Sequence, residues 1–247
     1  MMSFISRIKQ FFARTGETDP AKAYDLWAAG YDAQPHNLVL ALDREIFTGL
    51  LENVDLAGKT LADIGCGTGR HWPLLFSRSP KDLYGFDVSA GMLEKLKEKF
   101  PQARTCLLAD ELLPSLPDGS CQVLVSTLTL AHIPRQAEAL AEWNRVLQAG
   151  ADIILTDYHP AQLARGGKRT FQHEGKTVAV KNYPYTLEQL RRQLRQLGWK
   201  EIRFTERRID EAVKSFYAQQ DALAIYEKFK GTPVVFGIHL KKTNDTV

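Results

Sequence analysis

The sequence predicts a doubly wound α/β domain on a mostly parallel sheet of about seven strands, and three observations carry that reading. Leu61, Ala62 and Ile64 form a short apolar run, as in a buried parallel strand, which passes into Gly65, Gly67 and Gly69 and then a helix. Strand-like and helix-like stretches then alternate as far as Asp157, the pattern that places helices on both faces of a parallel sheet. The last two strand-like runs, 200–206 and 234–240, flank a helical stretch and close the sheet as an antiparallel pair.

With 44% hydrophobic and 25% charged residues, the 247-residue chain has the composition of one large globular domain. No apolar run approaches the ~20 residues that span a bilayer. Arg7 and Lys9 interrupt the first hydrophobic residues, unlike a signal peptide. Cys66, Cys106 and Cys121 are odd in number and form no C-x-x-C pair, so reduced thiols and a cytoplasmic location are expected. A net charge of +3 is too small to name a partner. Residues 161–247 nevertheless carry 17 Lys/Arg against 9 Asp/Glu, which suits solvated helix faces first and an anionic substrate or surface second.

In chain order, Phe4, Ile5, Ile8, Phe11 and Phe12 share one helical face within residues 3–14. Such a helix can dock on its own domain, contact a partner or rest peripherally on an anionic membrane. Two Tyr-Asp steps follow, at 24–25 and 31–32. Asn37 then caps a helix with apolar positions at Leu38, Leu42, Ile46 and Leu50. Residues 1–58 are thus read as an N-terminal helical cap on a core of 59–247. The alternating glycines let the chain turn sharply and leave no side chain between backbone and ligand. Pro73 falls in the first turn of the following helix, where a missing N–H does least harm. A dinucleotide fingerprint would want a small residue at position 70, which is Arg70. Asp63 beside the loop suits a ligand with an ammonium group and repels a pyrophosphate.

Further strands are expected over 82–86, ending at Asp87, and over 105–109, ending at Asp110. Ser89 caps the helix between them. Pro117-Asp118-Gly119-Ser120 turns into the strand CQVLVST, and a helix over 135–147, stopped by Ala149-Gly150, leads to the strand ending at Asp157. Within an insertion at 165–183, two strands flank His173-Glu174-Gly175-Lys176, a hairpin signal. Thr186 and Gln189 form a capping box, and a single helix is expected over 211–230.

The segment DIGCGTG resembles motif I of the class I S-adenosylmethionine-dependent methyltransferases. LPDGS and the stretch EWNRVLQAGADIILTD resemble later steps of the same family, with Gln122 where Asp is more typical. The Tyr-Asp steps resemble the pocket-closing segment of the small-molecule enzymes of ubiquinone and menaquinone biosynthesis. The resemblance implies the Rossmann-like methyltransferase fold, with S-adenosylmethionine as cofactor. It implies a loop of Asp63, Gly65, Cys66, Gly67 and Gly69, with Asp87 on the ribose and Asp110 near the adenine amine. Val88, Met92, Glu111 and Thr127 complete the set it implies. The insertion would be a substrate lid.

Methyl transfer to a small-molecule O, N or C acceptor is the function expected. A cofactor-binding protein without turnover and, less favoured, a nucleotide-dependent oxidoreductase are the alternatives. His132, Asp157 and His159 are the candidate catalytic groups, with His173 behind them; no metal is expected. The strand ending in Thr127-Leu128-Thr129-Leu130 lacks the Asp/Asn-Pro-Pro-aromatic turn that holds a flipped base, so no nucleic-acid partner is expected.

Overall fold

The structure, a computed structural model, describes residues 16–34, 37–165 and 167–243. The amphipathic helix expected over 3–14 lies outside the described residues. The chain enters through β1 (Glu17–Thr18) and α1 (Pro20–Trp27), whose N-terminus is capped by the Asp19 carboxylate accepting from the Ala21 N–H. α2 (Leu38–Leu51) is capped in the same way by Asn37. β2 (Thr60–Ile64), α3 (Trp72–Phe76), β3 (Asp82–Asp87), α4 (Ala90–Lys99) and β4 (Arg104–Leu107) make the first half of the domain. β5 (Cys121–Thr127), α5 (Gln136–Val146), β6 (Leu147–Tyr158) and α6 (Pro160–Ala164) lead to a hairpin, β7 (Thr170–His173) and β8 (Lys176–Val180). α7 (Leu187–Gln196) and β9 (Trp199–Arg208) follow, then α8 (Lys214–Ala218), α9 (Leu223–Phe229) and β10 (Pro233–Lys242).

The large sheet runs β4-β3-β2-β5-β6-β10-β9. β10 is antiparallel to both its neighbours, so it alone runs against the other six strands. Leu61, Val123, Ile153 and Ile154 in the central strands are fully buried. α2 lies close against β10: a Cβ added at Gly237 would stand 2.3 Å from Ile46 Cγ2, so only glycine admits the helix. The Gln122 side chain accepts from the Thr60 N–H at 2.8 Å, tying the start of β2 to β5.

Three expectations change. The helix over 211–230 is two short helices after a 3-10 turn, because the Ala222 N–H closes back on the Tyr217 carbonyl and Asp221 takes φ +53°. β6 starts directly after α5 and runs through Gly150, so Ala149-Gly150 lies inside a strand instead of stopping the helix. β4 ends at Leu107, which leaves Asp110 in a loop. The hairpin forms as expected, with Glu174 and Gly175 both left-handed as a two-residue turn requires. It also gains an unforeseen partner: β1 pairs parallel with β8, through Glu17–Ala179 and Thr18–Val180. The segment before α1 and the insertion after β6 therefore share one small sheet, β1-β8-β7.

Candidate active site

β2 delivers the chain to Gly65 at φ +71° and Gly67 at φ +53°. A Cβ on Gly65 would stand 2.1 Å from Thr129 Oγ1, so the loop beyond β5 packs on the bare glycine. A Cβ on Gly67 would meet nothing within 4 Å. Above this loop lies a cavity of ≈ 320 Å³. Gly65, Gly67, Asp87, Val88 and Met92 line it, as do Asp110, Glu111 and Thr127. Asp87, at the end of β3, accepts from the Gly67 N–H at 2.8 Å and the Ser89 N–H at 2.9 Å. Burial outweighs those two bonds and raises its carboxyl to about 6.

The remaining loop residues point elsewhere. Asp63 is buried and accepts from the Trp72 indole N–H at 2.8 Å; burial raises it to about 7. Cys66 is buried with its sulfur against Gly85 of β3. Gly69 faces Leu96 and Phe100 of the α4 region. Arg70 bonds the buried Asp43 of α2 at 2.5 Å, and Asp43 also holds the His71 ring at 3.1 Å and the Thr156 hydroxyl. Burial would raise the Asp43 carboxyl, but Arg70 and these hydrogen bonds hold it well below the usual range. One carboxylate thus fastens α2, the glycine loop and β6 together.

The two Tyr-Asp steps divide their work. Tyr24 and Tyr31 line the cavity. Asp25 accepts from the Ser89 hydroxyl at 2.6 Å and the Gly91 N–H at 2.9 Å, and Asp32 from the Thr68 hydroxyl at 2.7 Å and the Lys99 ammonium at 2.8 Å. The aromatic residues face the space and the carboxylates pin them to the loops after β2 and β3.

At the far side stands His132, in a 3-10 turn after β5. Its Nδ1–H donates to the Lys181 carbonyl at 2.9 Å, since a carbonyl can only accept. That fixes the tautomer and leaves Nε2 with a lone pair. Nε2 is buried and has no hydrogen-bond partner among the described residues. Burial, with the field of Arg169, lowers the ring to about 4, so it is neutral at pH 7.

Residues 62–155 match a family model described as a methyltransferase domain. An uncharacterized methyltransferase of Geobacillus thermodenitrificans is 30% identical over 139 residues, 56% of this chain and 62% of that protein. The ubiquinone/menaquinone biosynthesis C-methyltransferase UbiE of Campylobacter jejuni is 31% identical over 104 residues, 40% of this chain and 44% of its own length. The chain therefore spans less than two thirds of either relative. An S-adenosylmethionine-dependent methyltransferase of Mesorhizobium loti superposes with a TM-score of 0.62 at 17% identity, over 79% of this chain and 96% of that one, and shows the shared fold. Residues 62–155 thus match the methyltransferase-domain family, and the chain shares the fold of S-adenosylmethionine-dependent methyltransferases.

The residues present fit the cofactor of that family. Gly67 offers bare backbone beneath open space, and each Asp87 oxygen retains a lone pair beyond its backbone bond for a ribose hydroxyl. Asp157 and His159 do not line this cavity of the methyltransferase domain. Asp157 is buried, accepting from the Ala131 and Tyr158 N–H groups and the Tyr185 hydroxyl, and burial raises it to about 7. His159 caps α6 through Nδ1 and turns Nε2 to Glu206 at 3.3 Å. His173 lines a second, larger cavity of ≈ 760 Å³ beside the hairpin, walled by Trp27, Tyr158, Phe171, Phe216 and Val234. Sequence reasoning gave no site role to Thr129, which packs on Gly65, or to Arg169, which bonds Tyr31 of the smaller cavity and Tyr158 of the larger. Arg169 had no local signal: its neighbours Tyr24, Trp27, Tyr31 and Tyr158 are distant in the chain.

Proposed function

We propose that this domain transfers the methyl group of S-adenosylmethionine to a small-molecule acceptor held between the glycine loop and His132. One observation carries the reading: Asp87 and His132 line a single cavity, and the buried His132 Nε2 has no hydrogen-bond partner among the described residues. The cofactor supplies a methyl carbon made electrophilic by its sulfonium. The residues of the chain have three tasks. Asp87 and the loop from Gly65 to Gly67 seat the nucleoside end. Tyr24 and Tyr31, pinned through Asp25 and Asp32, exclude water and limit the acceptor to an in-line approach. Nε2 of His132 accepts a hydrogen bond from the acceptor and orients its nucleophile. A ring that titrates near 4 is too weak a base to ionise an alcohol. This favours acceptors that are nucleophilic without prior loss of a proton, such as a neutral amine or an activated carbon.

The test is transfer of a deuterated methyl group from labelled S-adenosylmethionine into a small-molecule extract, followed by mass spectrometry. A compound gaining one labelled methyl with wild type but not with Asp87→Ala supports the reading. Labelling confined to macromolecules would reject it.

A further inference from the structure

Arg169 is 3% exposed, and no carboxylate pairs with it among the described residues. Its guanidinium donates to the Tyr31 hydroxyl at 2.8 Å and the Tyr158 hydroxyl at 3.4 Å, while its Nε–H has no partner among the described residues. Four rings surround it, with Trp27 nearest at 4.9 Å and Tyr24 at 6.0 Å. Rings offset part of the cost of desolvating a cation, but a buried arginine ordinarily pairs with an anion and fills its donors. Among the described residues no anion takes that place.

The position of Arg169 says where that anion would come from. Tyr31 lines the smaller cavity and Tyr158 the larger, so each hydroxyl that accepts from the guanidinium belongs to a residue bordering open space. A hydroxyl that accepts from a cation is a better donor of its own proton. The next residues along β7, Thr170 and Phe171, also line the larger cavity, and Phe171 stacks on Trp27 at 4.5 Å. Arg169 itself lines neither cavity, but it is one residue from the wall of the larger, and its partners Tyr31 and Tyr158 line one cavity each.

We propose that Arg169, with Tyr31 and Tyr158, recognises a carboxylate on the methyl acceptor, whose apolar part occupies the larger cavity. A single planar guanidinium flanked by two phenols matches a monoanionic carboxylate. A phosphate would call for more cations, and the neighbouring Lys168 is already paired with Glu17 at 3.0 Å. The proposal rests on the methyl-transfer reading. The amino-acid end of the cofactor carries the same chemical group, so the experiment separates the two sources.

The protein, saturated with S-adenosylhomocysteine, is titrated with decanoate and with methyl decanoate by calorimetry. Decanoate should bind at least tenfold more tightly than its ester, and Arg169→Gln should remove that preference. Tyr31→Phe and Tyr158→Phe, which keep the rings, should each reduce it. Equal binding of acid and ester by wild type, no binding of the acid, or a preference retained in Arg169→Gln would overturn the proposal, and the wild-type comparison needs no variant to fold. A tenfold loss of S-adenosylhomocysteine affinity in Arg169→Gln, with 5′-methylthioadenosine unaffected, would assign the carboxylate to the cofactor and also overturn it. Repeating the acid and ester titrations without cofactor keeps the two readings apart, because failure of wild type to bind S-adenosylhomocysteine rejects methyl transfer and not the carboxylate site.

Discussion

The two cavities are built in opposite ways. Part of the smaller is built on a contiguous stretch from Thr60 to Asp87, in which backbone shape does most of the work: the left-handed Gly65 and Gly67 and one strand-end carboxylate. The larger is assembled from side chains of α1, α2, the hairpin, α8 and α9, brought together only by the tertiary fold. A ligand read by backbone needs a local code, and such a code survives in a short motif. A ligand read by distant side chains needs none, and its site can change without disturbing the first.

The largest effect expected from breaking this division is at Asp43, which joins the cap to the loop. Asp43→Ala removes a fully buried carboxylate from the half-buried Arg70 and from His71 and Thr156, and should cost about 3–5 kcal/mol. Thermal melts should fall by roughly 10 °C for a chain of this size. An unchanged melting temperature would mean that the node is not structural. Gly65→Ala comes next. Its Cβ would collide with Thr129 and its φ of +71° suits glycine, so about 1–3 kcal/mol of strain should fall on the loop. Cofactor affinity by calorimetry should drop roughly tenfold or more, whereas occupancy of the larger cavity by an apolar dye should not move.

The pH dependence of cofactor affinity sharpens the same contrast. Asp87 titrates near 6 in the folded, ligand-free protein, and hydroxyl donors from a ribose favour its ionised form. Affinity should therefore rise as pH increases through about 6, by at most about tenfold per unit, and level off above. A flat profile there would remove Asp87 from the contact. The smallest effect belongs to the hairpin. Gly175→Ala, at φ +75° in open space, should cost about 1 kcal/mol, and should slow acceptor turnover while leaving S-adenosylhomocysteine affinity within twofold. Equal loss of both would merge the two regions.

What could be read from the sequence follows the same line. The order of strands and helices, the caps at Asn37 and Ser89, and the capping box at Thr186 and Gln189 all depend on near neighbours, and all are present. Asp63 was read as facing the ligand, but Trp72, folded back from α3, takes its carboxylate. The break near Asp221 leaves no mark in the apolar spacing. The β1–β8 pairing joins residues 17–18 to 179–180, too short a strand to carry a pattern. Nor does anything near Arg169 announce the rings it meets.

The central claim is that the loop and Asp87 hold S-adenosylmethionine, and calorimetric titration of S-adenosylhomocysteine into wild type and Asp87→Ala tests it most directly. The account predicts a one-to-one complex with wild type. It predicts a loss in the variant of about 1.5–3 kcal/mol, more than tenfold in affinity, for the charge-assisted bonds removed. A folded Asp87→Ala protein that binds as tightly as wild type would contradict it.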